Sequence, residues 1–291
     1  MVDTISSETH SENSLMTDKP RKHFLVASDF DQTLSFKDSG VVLSELLGIS
    51  GFEERIGGLA KINLVPQGGE LAYLIRHDPE FRGVRPEHLV ETGRRVRLKH
   101  DIPALVDFLN RGTNECQFSF FVISAAPREI VVSALEGVIP AERIFGTELD
   151  FDARSGEVRA VQRVPAGYGK VAVIEELQKR LKVTSDRILY VGDGSSDIHV
   201  MLHVNNHDGF TIAVSENRQL ARIAKSTVIS ESAFSIMVPI LDQVLHWETR
   251  QIRELFEAHQ LSLNEWEKDR TDRVNIGELW SLGVHRKTAL A

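Results

Sequence analysis

The stretch His23-Phe-Leu-Val-Ala-Ser-Asp29-Phe-Asp31-Gln-Thr33 decides the fold. An apolar run of strand character empties into two carboxylates one residue apart, with a threonine two further on. A buried parallel strand is apolar along its length, and ligands in open α/β sheets sit just beyond the strands' carboxyl ends. Acids at that point cost stability and suit chemistry. Read alone, the stretch also fits a strand-ending turn, where Asp is common.

Three later stretches repeat the pattern. Phe118-Ser-Phe-Phe-Val-Ile-Ser124 is an apolar strand ending in a hydroxyl, followed by Ala125-Ala-Pro127-Arg128. Pro127 suits the first turn of a helix, so Ser124 and the backbone N–H groups after it are expected to face an anion. Gly167-Tyr-Gly-Lys170 leads into a helical pattern, and a lysine there opposes the helix dipole unless an anion is present. Ile188-Leu-Tyr-Val-Gly192-Asp193-Gly-Ser-Ser-Asp197 is a strand ending in an acid between glycines, with a second acid four residues on. Glycines there permit tight turning and close approach of backbone to ligand.

Asp-x-Asp-x-Thr, a strand-end Ser, a Lys and Gly-Asp-Gly-x-x-Asp, in that order, resemble the haloacid dehalogenase superfamily of phosphotransferases across about residues 23 to 240. Within it the chain is most similar to the phosphoserine phosphatase branch. Asp38 stands nine residues after Asp29, where that branch carries an acid meeting the substrate's amino group. Residues 145–157 resemble the branch's hairpin after its third strand. The chain departs from the branch in Ala-Ala-Pro after Ser124, where Gly-Gly-Phe is frequent, and in Asp rather than Glu at 38.

The resemblance implies a magnesium-dependent hydrolase of a small phosphorylated metabolite, phosphoserine or another amine-bearing phosphate. A phosphate dianion repels a carboxylate nucleophile, and Mg2+ with its preference for oxygen ligands would neutralise both. Asp29, Asp193 and the main-chain carbonyl of Asp31 are the expected metal ligands. Asp29 is the expected nucleophile, forming an aspartyl-phosphate, and Asp31 the acid that protonates the leaving alcohol and then activates water. Ser124 and Lys170 are expected to hold the phosphoryl oxygens. The resemblance gives Thr33 the task of fixing the loop after the first strand, and Asp197 that of orienting Lys170 or a metal-bound water. Dehalogenating members lack a carboxylate at the position of Asp31, because a halide leaves without a proton.

The 291 residues are 42% hydrophobic with a net charge of −8, an ordinary soluble composition that argues against nucleic acid or an anionic membrane as main partner. Apolar runs are strand-length, too short to span a bilayer. The single cysteine, Cys116, excludes an internal disulfide and is expected at or just before the start of the second strand. Residues 1–22 are polar, lack the basic start and apolar middle of a signal peptide, and read as a disordered tail. A cytoplasmic location is the default expectation.

The domain expectation is a catalytic core of residues 23–38 and 99–244, an inserted helical cap over 39–98 and a helical extension over 245–291. Residues 41–48, 71–76 and 86–98 carry helical spacing, punctuated by Gly57-Gly58 and Gly68-Gly69. Such a lid would exclude water and supply substrate contacts. Arg76 is the candidate clamp for a substrate carboxylate, against the alternative of a solvated helix-face arginine. Arg94, Arg95, Arg97 and Lys99 read as an exposed helix end. In the core, Asp101 and Pro103 open a helix. Strand 118–124, helix 127–136, strand 143–147, hairpin 149–164, helix 169–182, strand 188–191, helix 196–203 and strand 210–214 then alternate. That alternation predicts a doubly wound parallel sheet, an α/β fold with an inserted helical cap. His199 and His203, four apart, read as a packed or solvated pair. Residues 240–256 read as one helix with an apolar stripe, and the segment holding Trp266 and Trp280 as an added helix or partly ordered tail.

Two further readings stay open at this level. Transfer of the phosphoryl group to an alcohol uses the same residues, and a non-catalytic binding protein could share the scaffold. Oligomeric state is not legible.

Overall fold

A computed structural model describes residues 21–263. The polar N-terminal segment up to residue 20 and the segment with Trp266 and Trp280 lie outside the described residues. The chain divides into two compact units, at Trp247/Glu248.

The larger unit is built on a seven-stranded sheet. Its strands are β1 (Lys22–Ser28), β2 (Cys116–Pro127), β3 (Ile144–Phe151), β4 (Val158–Arg163), β5 (Ile188–Gly192), β6 (Phe210–Ala213) and β7 (Ser226–Thr227), in the order β4-β3-β2-β1-β5-β6-β7. Every pair is parallel except β3–β4. The doubly wound α/β expectation therefore holds, with one antiparallel edge strand added. β1 lies between β2 and β5, with Val26 opposite Phe120 and Leu189, which accounts for its unbroken apolar run. Both faces of such a strand are covered, so alternation with polar residues would bury unpaired polar groups.

One face carries Leu25, Ala27, Phe121, Ile123 and Tyr190. Against them pack Val173, Ile174 and Leu177 of α7 (Tyr168–Leu181) and Val200, Met201 and Val204 of α8 (Ile198–Asn206). Each fully buried aliphatic side chain contributes about 1.5–3 kcal/mol. Aromatic rings join another part of the core: Phe24 stacks on Phe118 at 5.7 Å, and Phe108 of α5 (Ile102–Arg111) lies 6.5 Å from Phe118. Tertiary pairing moves several expected boundaries. β2 runs on to Pro127, so Ser124 sits within the strand's end and α6 (Arg128–Ala134) starts one residue later than expected and stops two earlier. The strand expected at 143–147 and the hairpin's first arm are one strand, β3. Cys116 opens β2. Asp101 adopts a positive φ and accepts a hydrogen bond from Ser232 instead of capping α5.

Between β1 and α5 lie four helices: α1 (Ser39–Leu47), α2 (Phe52–Ile62), α3 (Glu70–His77) and α4 (Pro86–Arg95). Sequence reading passed over α2, whose only buried residue is Phe52, and ran α4 three residues too far. A β-bridge between Ser35 and Leu98 closes the base of the insertion, and Ser133 of α6 donates to the Val90 carbonyl of α4 at 2.8 Å. Arg94 and Arg95 pair with Glu91, and Arg97 lies over Phe36, as an exposed helix end would. Lys99 departs from that group, being half-buried and close enough to Asp193 to feel its charge.

The expected helix over 240–256 is broken. Ile240–Val244 forms a π-helical turn, His246 takes a positive φ, and Thr249–Ala258 is a separate helix in the second unit. No helix among the described residues is long and apolar enough to cross a membrane.

Candidate active site

The carboxyl ends of β1, β2 and β5 and the start of α7 meet at one edge of the sheet. Asp29 follows β1 and is 5% exposed, and its N–H donates to Val191 of β5 at 2.9 Å. Lys170, in the first turn of α7, is fully buried. Its ammonium lies 2.9 Å from Asp29 Oδ2 and 2.6 Å from Asp197 Oδ1. Burial opposes that charge, yet Asp197 and Asp29 outweigh it and hold the Lys170 pKa above the ordinary lysine value.

Asp197 is saturated. Its Oδ1 accepts from Lys170 and from the Tyr190 hydroxyl at 2.7 Å, and its Oδ2 accepts from the backbone N–H groups of Asp193 and Gly194, both at 3.1 Å. Gly192 makes this possible, because a Cβ there would stand 2.4 Å from Asp197 Cγ. Asp193 keeps its side chain free for other work, with Thr33 Oγ1 donating to Asp193 Oδ1 at 3.2 Å. Thr33 thus ties two strand ends together. The loop after β1 is held by backbone bonds from Thr33, Leu34 and Ser35 to the Phe30 carbonyl and by Ser35, whose hydroxyl donates to Lys37 O at 2.7 Å and accepts from the Gln32 N–H.

Asp31 accepts from the Ser39 N–H at 2.8 Å and from its hydroxyl at 3.0 Å. Burial, and then the charges of Asp38 and Asp29, push the Asp31 carboxyl well above the usual carboxylate range; the Ser39 bonds pull the other way. Asp29 is likewise raised, chiefly by burial, with Lys170 opposing. Asp193 is pushed up to about 7 by burial and the Asp197 charge. Ser124 is fully buried and accepts from the Ala126 N–H at 3.1 Å, which leaves its hydroxyl proton available to a ligand.

The fold thus joins Asp29, Lys170 and Asp197 directly, links Thr33 to Asp193, and brings Ser124 to the same sheet edge. Asp38 is the N-cap of α1, accepting from the Gly40 N–H at 2.7 Å, and its charge reaches both Asp31 and Glu70. Arg76 is exposed on α3, and no hydrogen bond or ion pair joins it to the acids among the described residues. Ser39, Tyr190 and buried Glu70 went unread in the sequence. Ser39 follows Asp38 as an unremarkable helix-start serine, and Tyr190 looks like ordinary strand filling.

Asp29, Asp193 and Asp197 bring ligand oxygens within 4.8 Å of one another. An all-oxygen donor set suits Mg2+. The three acids gather their charges against a single ammonium, that of Lys170, so the residues fit a divalent ion. Of the three acids, Asp197 has no oxygen to spare.

A scan against protein-family models matches residues 26–202 to the haloacid dehalogenase-like hydrolases. The chain belongs to this family. Solved structures show the same fold in other members. A phospho-aspartyl intermediate analogue of phosphoserine phosphatase superposes with a TM-score of 0.60 at 18% identity, covering 76% of this chain and 99% of that one. A substrate-bound phosphoserine phosphatase complex gives 0.59 at 18% identity, covering 77% and 99%. A HAD family hydrolase from Salmonella enterica serovar Typhi gives 0.62 at 15% identity, covering 77% and 72%. A search of curated protein sequences finds no match. The helical insertion over the strand ends places this HAD hydrolase among the capped members of its fold.

Proposed function

We propose that this HAD hydrolase is a magnesium-dependent phosphatase that cleaves a small, amine-bearing phosphate monoester. The observation that carries the reading is Asp31: a half-buried carboxyl, bonded by Ser39 and with its pKa raised above the ordinary carboxylate value, two residues from a carboxylate that touches a buried lysine. Phosphoester cleavage needs that pair, a nucleophile and a proton donor for an oxygen leaving group.

Asp29 attacks phosphorus and forms an aspartyl-phosphate, a mixed anhydride, as the bond from phosphorus to the substrate oxygen breaks. That oxygen takes the electron pair and the proton of Asp31. The Asp31 carboxylate then removes a proton from water, whose oxygen attacks phosphorus and releases Asp29 and inorganic phosphate. Lys170 and the Ser124 hydroxyl hold phosphoryl oxygens, and Asp197 keeps the ammonium aimed. Mg2+, when bound by Asp29, Asp193 and the Asp31 carbonyl, neutralises charge on the phosphoryl group and on its nucleophile. Asp38 stands beside Asp31 and would attract a substrate ammonium.

The test is phosphate release from a panel of monoesters, O-phosphoserine included, with magnesium and with EDTA. Metal-dependent turnover concentrated on amine-bearing members, and lost in Asp29→Asn, is expected. Absence of turnover across the panel by the folded protein would overturn the reading. Asp38→Asn retains a good helix cap and removes the charge. It should erase the preference for amine-bearing over neutral phosphates.

A further inference from the structure

Imidazoles concentrate at the opposite end of β5 from the acids. The expected partner of His203 was His199, but His199 instead lies against Tyr168, its ring 4.3 Å away. His203 faces His207, which caps the end of α8, with ring centroids 4.6 Å apart. His207 Nδ1 lies 2.8 Å from the His203 carbonyl oxygen. A carbonyl only accepts, so Nδ1 carries the proton and Nε2 presents a lone pair. Metal-ligating histidines are oriented in this way, by a bond from the other ring nitrogen to a backbone oxygen.

Both rings line a cavity of about 230 Å³ between α7 and α8, together with Glu175, Lys179, Gln178 and Ser185. Glu175 is exposed on α7 and near enough to favour positive charge at His203. The carboxyl end of α8 points its partial negative charge at the same place. Ile188, the first residue of β5, forms part of the lining. At ~3.3 Å per residue the strand separates this cavity from Asp193 by roughly 15 Å.

We propose that His203 and His207 form a chelating site for a borderline divalent transition-metal ion of the Zn2+ or Ni2+ class, with Glu175 turning in as third ligand. Two imidazoles and one carboxylate select such ions over Mg2+, which prefers oxygen throughout. The two rings already lie 4.6 Å apart on the cavity wall, and side-chain rotation brings the third ligand to them. Lys179 sits at the rim, exposed, and can swing into solvent. A bound ion would tie the last turn of α8 to α7 and raise the melting temperature by mass action.

The experiment uses untagged full-length protein with magnesium in excess, so that the acids are filled, and Zn2+ as the probe. Calorimetry should find one zinc per chain, a rise in melting temperature, and the same binding in Asp29→Asn. His207→Ala, a change at an exposed position, should weaken zinc binding at least tenfold while the circular dichroism stays unchanged, and His203→Gln should do the same. Glu175→Gln should weaken it severalfold. Zinc affinity indifferent to His207→Ala, or lost in Asp29→Asn, would overturn the site, whatever the protein's activity on phosphate esters.

Discussion

Lys170 and Asp197 form a buried ion pair at 2.6 Å, with neither side chain exposed to solvent. The lysine also touches Asp29, whereas every oxygen of Asp197 is committed to holding something in place. A group with that role positions the ammonium; it is not free to bind a metal.

Asp197→Asn tests this directly. Removing one partner of a buried pair costs about 3–5 kcal/mol, so the melting temperature should fall clearly. Misplacing one phosphoryl-binding cation should lower kcat/KM by roughly 10²-fold. Magnesium affinity, measured by calorimetry, should change by less than an order of magnitude. Its collapse would make Asp197 a ligand.

Ser39→Ala removes a hydroxyl that stabilises the Asp31 carboxylate. The Asp31 pKa should rise further, because the lost bond favoured the charged form. The alkaline limb of the kcat profile, where the general acid loses its proton, should move to higher pH. An unmoved limb would mean that Asp31 does not govern it.

Metal-free protein should lose stability as pH rises from 3.8 toward 7. Asp193 is pushed from the first value to about the second on folding, so the native state holds its proton more tightly than the unfolded chain. Stability then falls with pH across that window. Magnesium should reverse the loss above pH 7, by about 2.7 kcal/mol at a hundredfold excess over its Kd. Parallel thermal melts with and without EDTA across pH measure the effect. Identical curves would contradict it.

Gly68 connects the helical insertion to the segments around the strand ends. With φ +92°, it lies where a Cβ would meet Ser196 Cβ at 2.9 Å and those of Ala125 and Ala166 at 3.3 Å. Each contact comes from a different motif. No residue from Glu53 to Gly68 is buried, so this tip carries much of the segment's hold on the core. Gly68→Val should cost about 1–3 kcal/mol in the closed state. That corresponds to roughly a tenfold to hundredfold loss in kcat/KM, at near-constant melting temperature. Hydrogen exchange over residues 57–69 should quicken while α4 stays protected. Equal exchange in both proteins would remove Gly68 from closure.

Strand-end chemistry was legible because it is local: an apolar run followed by an acid, a hydroxyl or a glycine names both the strand and its mouth. The family followed from the order of three such mouths and one helix-opening lysine. Ser39, Tyr190 and Glu70 carry no such mark, since a serine after an aspartate or a tyrosine in a strand acquires meaning only from what folds against it. The weakly buried α2 was missed for a related reason, its apolar stripe being interrupted by Gly57 and Gly58.

By itself the sequence determined the parallel α/β sheet and the inserted helices, and it singled out seven polar residues that the fold gathers at the strand ends, Asp29, Asp31, Thr33, Ser124, Lys170, Asp193 and Asp197, because periodicity and strand-end punctuation are written residue by residue. Tertiary structure alone decided how their charges are shared. Asp197 became the anchor of Lys170, Asp31 the raised acid held by Ser39, and Asp193 the carboxylate left for a cation. Desolvation and hydrogen-bond saturation depend on three-dimensional neighbours, and equally spaced aspartates look alike until those neighbours arrive.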